Sequence, residues 1–366
     1  MNNADLANEW VFAEVKRLCL MGLDPTTLRR RVTERIRRAV PFEAYAAFTM
    51  DPSNGLITHA LQTIGDESGL RVYLERVFFE DDVLEFDWVA RNRLPVGLLS
   101  EATKGKLEQA PRCRELVGPE GYCYELRGAF STGAQLWGGL ALWREKGRPD
   151  FAAREVAFMR RVAPHIAAGL RAATLQQELH DDQVGDDAAG VLVLDRWETM
   201  VQHNAAAERR LQELGDLGER WREDEGLPAP IWTVLGALRR ALKPETDRDL
   251  NGNPHLRVKA RSGRWLTLQV SLTEPTHTHP DESMVIIAPA GPKEVLRLSA
   301  IGYGLSPREQ EVAGLAVHGA STKQISQALY ISEHTVKDHL KNIFGKVGVR
   351  GRRALVKQLY LDTILP

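Results

Sequence analysis

Three short runs near the C-terminal end constrain local structure more tightly than anything else in the chain. Ser306-Pro-Arg-Glu309 puts serine at a helix N-cap, proline at the first helical position and glutamate at N3. In that spacing the serine oxygen accepts the N3 amide and the glutamate reaches back to the serine amide. Proline at N1 loses no intrahelical bond, because that N–H has no partner inside the helix. The spacing predicts a helix to about His318, stopped by Gly319. Ser321-Thr-Lys-Gln324 repeats the pattern with glutamine at N3, and Ser332 caps a third helix after a short connection.

The third helix divides by face. Val336, Leu340, Ile343, Phe344 and Val347 form one apolar stripe at helical periodicity. His334, Thr335, Lys337, Asp338, Lys341 and Asn342 fall outside it. Two helices joined by so tight a turn make a helix-turn-helix, whose second helix enters the DNA major groove. Lysines at 337 and 341 would there face guanine O6 and N7. The capped N-terminus favours a nearby phosphate, and Thr322 and Lys323 could hold the backbone. On charge alone, an ordinary solvated helix surface remains open. The charge balance is nevertheless uneven. Residues 300–366 hold nine Lys/Arg against five Asp/Glu, so the tail carries +4 and the rest −5 of a net −1. An anion-binding role is thus local to the tail.

Leu305-Ser-Pro-Arg-Glu-Gln-Glu-Val312, Gly319-Ala-Ser-Thr-Lys-Gln-Ile325 and Ile331 to Gly348 closely resemble the LuxR/NarL-type helix-turn-helix. The resemblance implies an all-α four-helix domain over 300–366 that binds a double-stranded DNA operator. It implies DNA-facing residues at Thr322, Lys323, His334, Thr335, Lys337, Asp338 and Lys341. Asp338 departs from the apolar or small residue usual at its position. The fourth helix, about 352–361, commonly mediates dimer contacts in that family, which points to Leu355, Leu359 and Tyr360. A homodimer and a contact with RNA polymerase are the further partners implied.

Upstream, Leu6–Met21 and a stretch from Pro25 read as helices, the second carrying arginines at 29, 30, 31, 35, 37 and 38. Strand-like runs follow at 44–50 and 56–64, split by Asp51-Pro-Ser-Asn-Gly55, a hairpin signal. A helix is predicted over about 70–93, strands at 95–100, 122–131 and 134–144, and an amphipathic helix over about 152–179. This order resembles an α/β GAF-like sensory domain, assigned to residues 1–180. After the acidic run at 180–187, residues 189–290 resemble an α+β PAS-like domain: strand 190–195, a helix entered at His203-Asn204, a helix over 231–242, and strands at 256–261, 265–272 and 284–288. Pro289-Ala-Gly-Pro292 marks the boundary before the tail. Such domains set a curved sheet over a pocket, with Trp88, Tyr124 and Trp137 as candidate walls for an unknown small-molecule effector. Asp81-Asp82-Val83-Leu84 bears a slight similarity to the acidic segment of acyl-homoserine-lactone receptors, the alternative reading of the signal.

Other classes fit poorly. A phosphorelay receiver opens on alternating strands and helices, whereas this chain opens on two helices. No phosphate loop occurs, since Gly105-Lys106 is followed by leucine. His165, His203, His255 and the linker acids Asp181, Asp182, Asp186 and Asp187 show neither metal-ligand nor nucleophile spacing, so no catalytic role, metal or cofactor is expected. Cys19, Cys113 and Cys123 are far apart, and the start lacks a signal pattern. Both point to a reducing cytoplasm. No apolar run long enough to span a bilayer occurs.

Overall fold

The chain alternates hairpins and helices, and each hairpin pairs with its neighbours into an antiparallel sheet. In the computed structural model, residues 3–64, 83–86, 89, 95–175, 188–214, 227–242, 254–274 and 282–361 are described. They form two compact units, one of residues 1–176 with 186–289, the other of 177–185 with 290–366.

The large unit opens with α1 (Asn3–Cys19) and α2 (Pro25–Ile36). Asp24 caps α2 by accepting the Thr27 N–H at 2.9 Å. Strands β1 (Ala44–Met50), β2 (Ile57–Gln62), β3 (Val96–Leu98), β4 (Tyr122–Thr132) and β5 (Gln135–Glu145) pair in the order β2-β1-β5-β4-β3. Every pairing is antiparallel. The α/β expectation for this half is therefore corrected to α+β, because no parallel crossover joins neighbouring strands: β1 and β2, β3 and β4, and β4 and β5 pair antiparallel. The run at 95–100 is strand only to Leu98, and Leu99–Ala102 turns into a short helix. The helix expected over 70–93 lies outside the described residues except at 83–86 and 89. Helix α3 (Ala153–Leu175) lies along the sheet and buries Val156, Met159, Val162, Ile166 and Leu170.

A second sheet is built from β6 (Gly190–Leu194), β7 (Met200–His203), β8 (His255–Lys259), β9 (Trp265–Leu272) and β10 (Ser283–Pro289). Its order, β7-β6-β10-β9-β8, repeats that of the first sheet strand for strand. Strand β7 is short and mostly exposed, which is why no alternating pattern announced it. Asn204 caps α4 (Ala205–Glu213), accepting the Ala207 N–H at 2.8 Å. Helix α5 (Ala229–Ala241) is buried almost all round, as an apolar helix enclosed by protein must be. It packs on β2 of the first sheet and on β8 and β9 of the second. One continuous apolar core runs from Ala44 and Phe48 through Trp143 to Leu256 and Ile287.

Polar groups also cross between the sheets. Asp51, fully buried at the end of β1, accepts the Arg257 backbone N–H at 2.9 Å and lies 3.6 Å from its guanidinium. The Ser53 hydroxyl donates to Asp51 at 2.6 Å, and Arg257 Nη1 donates to Ser53 Oγ at 2.6 Å. Asn54 donates to the His255 carbonyl at 2.8 Å. Asp51→Ala removes the acceptor of the Arg257 backbone amide and the carboxylate that faces its buried guanidinium. We expect a loss of about 3–5 kcal/mol, read by urea unfolding, with hydrogen-exchange protection falling in both sheets together. Loss confined to the first sheet would contradict this account.

Candidate nucleic-acid interface

Among the described residues the small unit is a bundle of five α-helices, the last continued by a π-helical turn over Lys357–Leu361. It begins with α6 (Pro292–Gly302), a helix the proline-glycine boundary signal had concealed. Leu296 and Ala300 of α6 join Val312, Ala316, Ile325, Val336, Leu340, Ile343 and Val347 in one core. Helix α7 (Pro307–Val317) has its capping box complete: Glu309 N–H donates to Ser306 Oγ at 3.3 Å, and Ser306 N–H to Glu309 Oε2 at 2.7 Å. Helix α8 (Thr322–Leu329) repeats it, with Gln324 N–H on Ser321 Oγ at 3.2 Å and Ser321 N–H on Gln324 Oε1 at 2.7 Å. The turn that follows is carried by Tyr330 in the left-handed region, at φ 55°. Ser326 Oγ clasps it by donating to the Ile331 carbonyl at 2.5 Å. Ser332 then caps α9 (Glu333–Val347), accepting the Thr335 N–H at 3.0 Å. Gly348 ends α9 with φ 76°, a conformation that costs any residue with a Cβ. Helix α10 (Arg352–Val356) closes the bundle.

Burial sets the outward face of α9. Val336, Leu340, Ile343 and Val347 are buried. His334, Lys337, Asp338 and Lys341 are exposed and Thr335 is half-buried. At about 100° per residue the four exposed positions share roughly a 100° arc opposite the apolar stripe. Lys337 and Lys341 make no hydrogen bond or ion pair among the described residues. Asp338 lies 3.6 Å from His334 one turn earlier, an ion pair when the imidazole is protonated. Lys323 is exposed on α8. Thr322 is half-buried, and its hydroxyl accepts from Arg352 Nη2 at 2.9 Å.

Arg352 was not legible as a bonding partner in the sequence. It also donates to the Ala320 carbonyl at 2.5 Å and so ties α10 to the start of α8. Arg308 donates to the Leu329 carbonyl at 2.6 Å, and Lys346 to Glu309 at 2.6 Å. These three cations hold the bundle together, and Lys323, Lys337 and Lys341 are left to solvent. Burial works to raise the Glu309 carboxyl pKa, but the bonds from Lys346 and Ser306 outweigh it and hold the pKa below its ordinary value.

The dimer candidates need correction. Leu355 and Leu359 are fully buried in this core. They offer no surface to a partner, because α10 and the turn over Lys357–Leu361 join the bundle by burying their apolar side. The Tyr360 side chain lies outside the described residues.

The pocket candidates are not brought together. Trp88 lies outside the described residues. Tyr124 is half-buried on β4 opposite Arg144, whereas Trp137 lies seven residues before Arg144 along β5, about 23 Å away at strand rise. Trp137 is 1% exposed and its Nε1 donates to Thr132 at 2.8 Å, so it is a packed core residue. Asp81 and Asp82 also lie outside the described residues. His203 and His255 sit on opposite edge strands of the second sheet, and His165 packs edge-on against Phe12. Burial pushes the Cys19 thiol up to about 12 and that of Cys113 to about 11, and it raises Cys123 as well. All three therefore stay protonated at neutral pH. Among the described residues no cluster of three His, Cys, Asp or Glu could hold a metal.

A polar cluster escaped sequence reasoning. Arg112, Glu125 and Arg127 are buried together, with Arg112 Nε on Glu125 at 2.8 Å and Arg127 Nε at 2.6 Å. The two arginines also donate to the Val83 and Leu84 carbonyls. The only sequence signal was two charges spaced by two within an apolar strand, which puts both on one face.

A capped bundle with a lysine-bearing helix set after a tight turn defines a helix-turn-helix DNA-binding unit. Residues 303–359 match the family described as bacterial regulatory proteins, luxR family. Spore germination protein GerE of Bacillus subtilis is 46% identical over 55 residues, 15% of this chain and 74% of that one. An HTH-type transcriptional regulator of Aeromonas salmonicida is 32% identical over 153 residues, 40% of this chain and 75% of that one. The monoamine regulon transcriptional regulator of Klebsiella aerogenes is 44% identical over 57 residues, but these span only 25% of its length. The chain belongs to the LuxR family and is a DNA-binding transcriptional regulator. Its relatives' role is regulatory rather than catalytic. Among solved structures, a GAF domain from a Coxiella burnetii phosphotransferase covers 46% of this chain and 94% of its own, at 20% identity and TM-score 0.33. A Vibrio cholerae VqmA–ligand–DNA complex covers 47% and 80%, at 17% identity and TM-score 0.21.

Two outcomes test this local account. Ser321→Ala should destabilise α8 by about 1 kcal/mol, seen as faster amide exchange in α8 and α9. Glu309 is depressed in the folded state, so its contribution is present above the ordinary carboxyl range and is lost as pH falls through the folded value. Exchange protection of α7 should therefore drop in acid, and Glu309→Gln should flatten that dependence. A parental pH profile in the variant would contradict it.

Proposed function

We propose that the exposed face of α9 reads an operator in the major groove and that the large unit tunes its affinity. The observation that carries this is the pair Lys337 and Lys341, one turn apart on a rigid helix, with no internal partner among the described residues and set just beyond a capped N-terminus. In this reading both lysines donate to guanine edges. Asp338 accepts from cytosine N4, and His334 and Thr335 lie at the groove's edge. Thr322 and Lys323, at the start of α8, grip phosphate. A homodimer would place two such helices on two half-sites, and RNA polymerase would be the downstream contact. The working place of such a protein is the bacterial cytoplasm.

The large unit is then the sensory part, a GAF-like half over 1–180 and a PAS-like half over 189–290. Two sheets of identical strand order, each with helices on it, support that division. An effector bound there changes operator affinity only by the difference in its affinity for the free and DNA-bound forms.

Genomic fragments selected with the full-length protein give the operator. On it, Lys337→Ala and Lys341→Ala should each weaken binding by about 1–3 kcal/mol. Any lysine that meets phosphate instead should lower the salt slope by about 0.9. Unchanged anisotropy titrations with an intact fold would overturn the assignment, and enrichment of no fragment would overturn the reading as a whole.

A further inference from the structure

The arginine run of α2 has two fates. Arg29 is buried and donates to the Ala47 and His59 carbonyls at 2.8 and 3.1 Å, pinning the helix to the first sheet. Arg30, Arg31, Arg37 and Arg38 are exposed. At about 100° per residue Arg30 and Arg31 lie on the side of α2 away from Leu28, Val32 and Ile36, together with the exposed Glu34, and Arg37 and Arg38 follow in the turn just beyond the helix end. None of the four forms an ion pair with a carboxylate among the described residues. Arg35 shows the contrast, 3.8 Å from Glu14. Elsewhere in the large unit Arg112, Arg144, Arg161 and Arg257 are each paired with an acid. Beside this face α1 presents Trp10, 50% exposed, with the Arg38 guanidinium 5.4 Å from its ring and that of Arg35 at 5.9 Å. Arg37 lies 4.5 Å over Phe42.

The helix macrodipole accounts for cations at 37 and 38, at the C-terminal end, but not for 30 and 31 in the middle. Glu34 on the same face and Glu14 beside Arg38 offset only part of this charge, so four arginines leave the surface net positive in a chain whose net charge is −1. A second copy of the same face would only add like charge. What fits is a regularly spaced polyanion, met by guanidinium forks, with an aromatic plane at its edge.

We propose that this α2 face is a second, sequence-independent site for the phosphate backbone of duplex DNA, carried by the large unit and separate from α9. It rests on the reading of the chain as a DNA-binding regulator, because only that makes duplex DNA the polyanion at hand. It supplies affinity and salt dependence, while α9 supplies sequence.

The test uses the full-length chain and a generic duplex without an operator, titrated by anisotropy at several salt concentrations. Replacing Arg30, Arg31, Arg37 and Arg38 together by Gln should lower the slope of log K against log salt by up to about 3 to 4, at roughly 0.9 for each phosphate no longer neutralised. The matching Arg→Lys variant keeps the charge and should keep most of the slope, which separates loss of charge from loss of the fold. Lys337→Ala combined with Lys341→Ala should abolish operator preference and leave the arginine-dependent part in place. A parental slope in the Gln variant overturns this site and leaves the α9 reading standing. No duplex binding by the parent at low salt overturns both. Phosphatidylglycerol vesicles that bind the parent but not the Gln variant, with DNA slopes equal, would assign the face to a lipid surface and overturn the DNA site.

Discussion

Three serine hydroxyls decide where α7, α8 and α9 of the small unit begin. Each accepts an amide that the helix itself cannot satisfy: Ser306 for Glu309, Ser321 for Gln324 and Ser332 for Thr335. The starts of α8 and α9 are thereby fixed on either side of a short connection, and the apolar residues of each helix can reach one core only at one mutual angle. Ile325, Val336, Leu340 and Ile343 bury there, and the opposite face of α9 has nowhere to go but outward. The exposed lysines are thus a consequence of packing, and the rigidity that holds them comes from hydrogen bonds at the helix ends. Preorganisation of this kind reduces the side-chain and loop ordering that binding would otherwise require.

Charge follows the same division of labour. Arg308, Lys346 and Arg352 each donate to a backbone carbonyl, and Lys346 and Arg352 also bond side chains, joining elements distant in sequence. Counting Lys and Arg therefore overstates what is available to DNA, because three of the tail's cations are structural. The same distinction applies to the large unit, where Arg29 is a bolt and Arg30 is not. Only the fold separates the two uses. An arginine run reads identically whether its members reach a carbonyl across the sheet or stand in water.

Legibility in the sequence tracked how local the controlling interaction was. Caps, the Asp51–Gly55 hairpin, the Asn204 helix entry and the α9 stripe are settled by residues three or four apart, and each was readable. Helix α6 was not, since Pro289 to Pro292 reads as a break although Pro292 sits at a position where helices begin. The antiparallel order of the first sheet depends on pairings such as Ala44 with Trp143, nearly a hundred residues apart. The burial of Leu355 and Leu359 depends on a core assembled from five helices. Tyr124 and Trp137 looked like neighbours because they flank one hairpin, and the register puts them at opposite ends of its ladder.

The register of the large unit has a thermodynamic consequence. A polar run at 180–187 suggests two halves that fold and respond separately. Yet α5 fills the space between the sheets, Asp51 and Arg257 bond across it, and Arg240 of α5 reaches Glu85 at 3.3 Å. Separating the halves would expose the faces of α5 and strand buried charges, a cost of several kcal/mol for each broken pair. The halves therefore open together or not at all. A molecule that binds one sheet stabilises the other by mass action, and the response it sets up belongs to the whole unit.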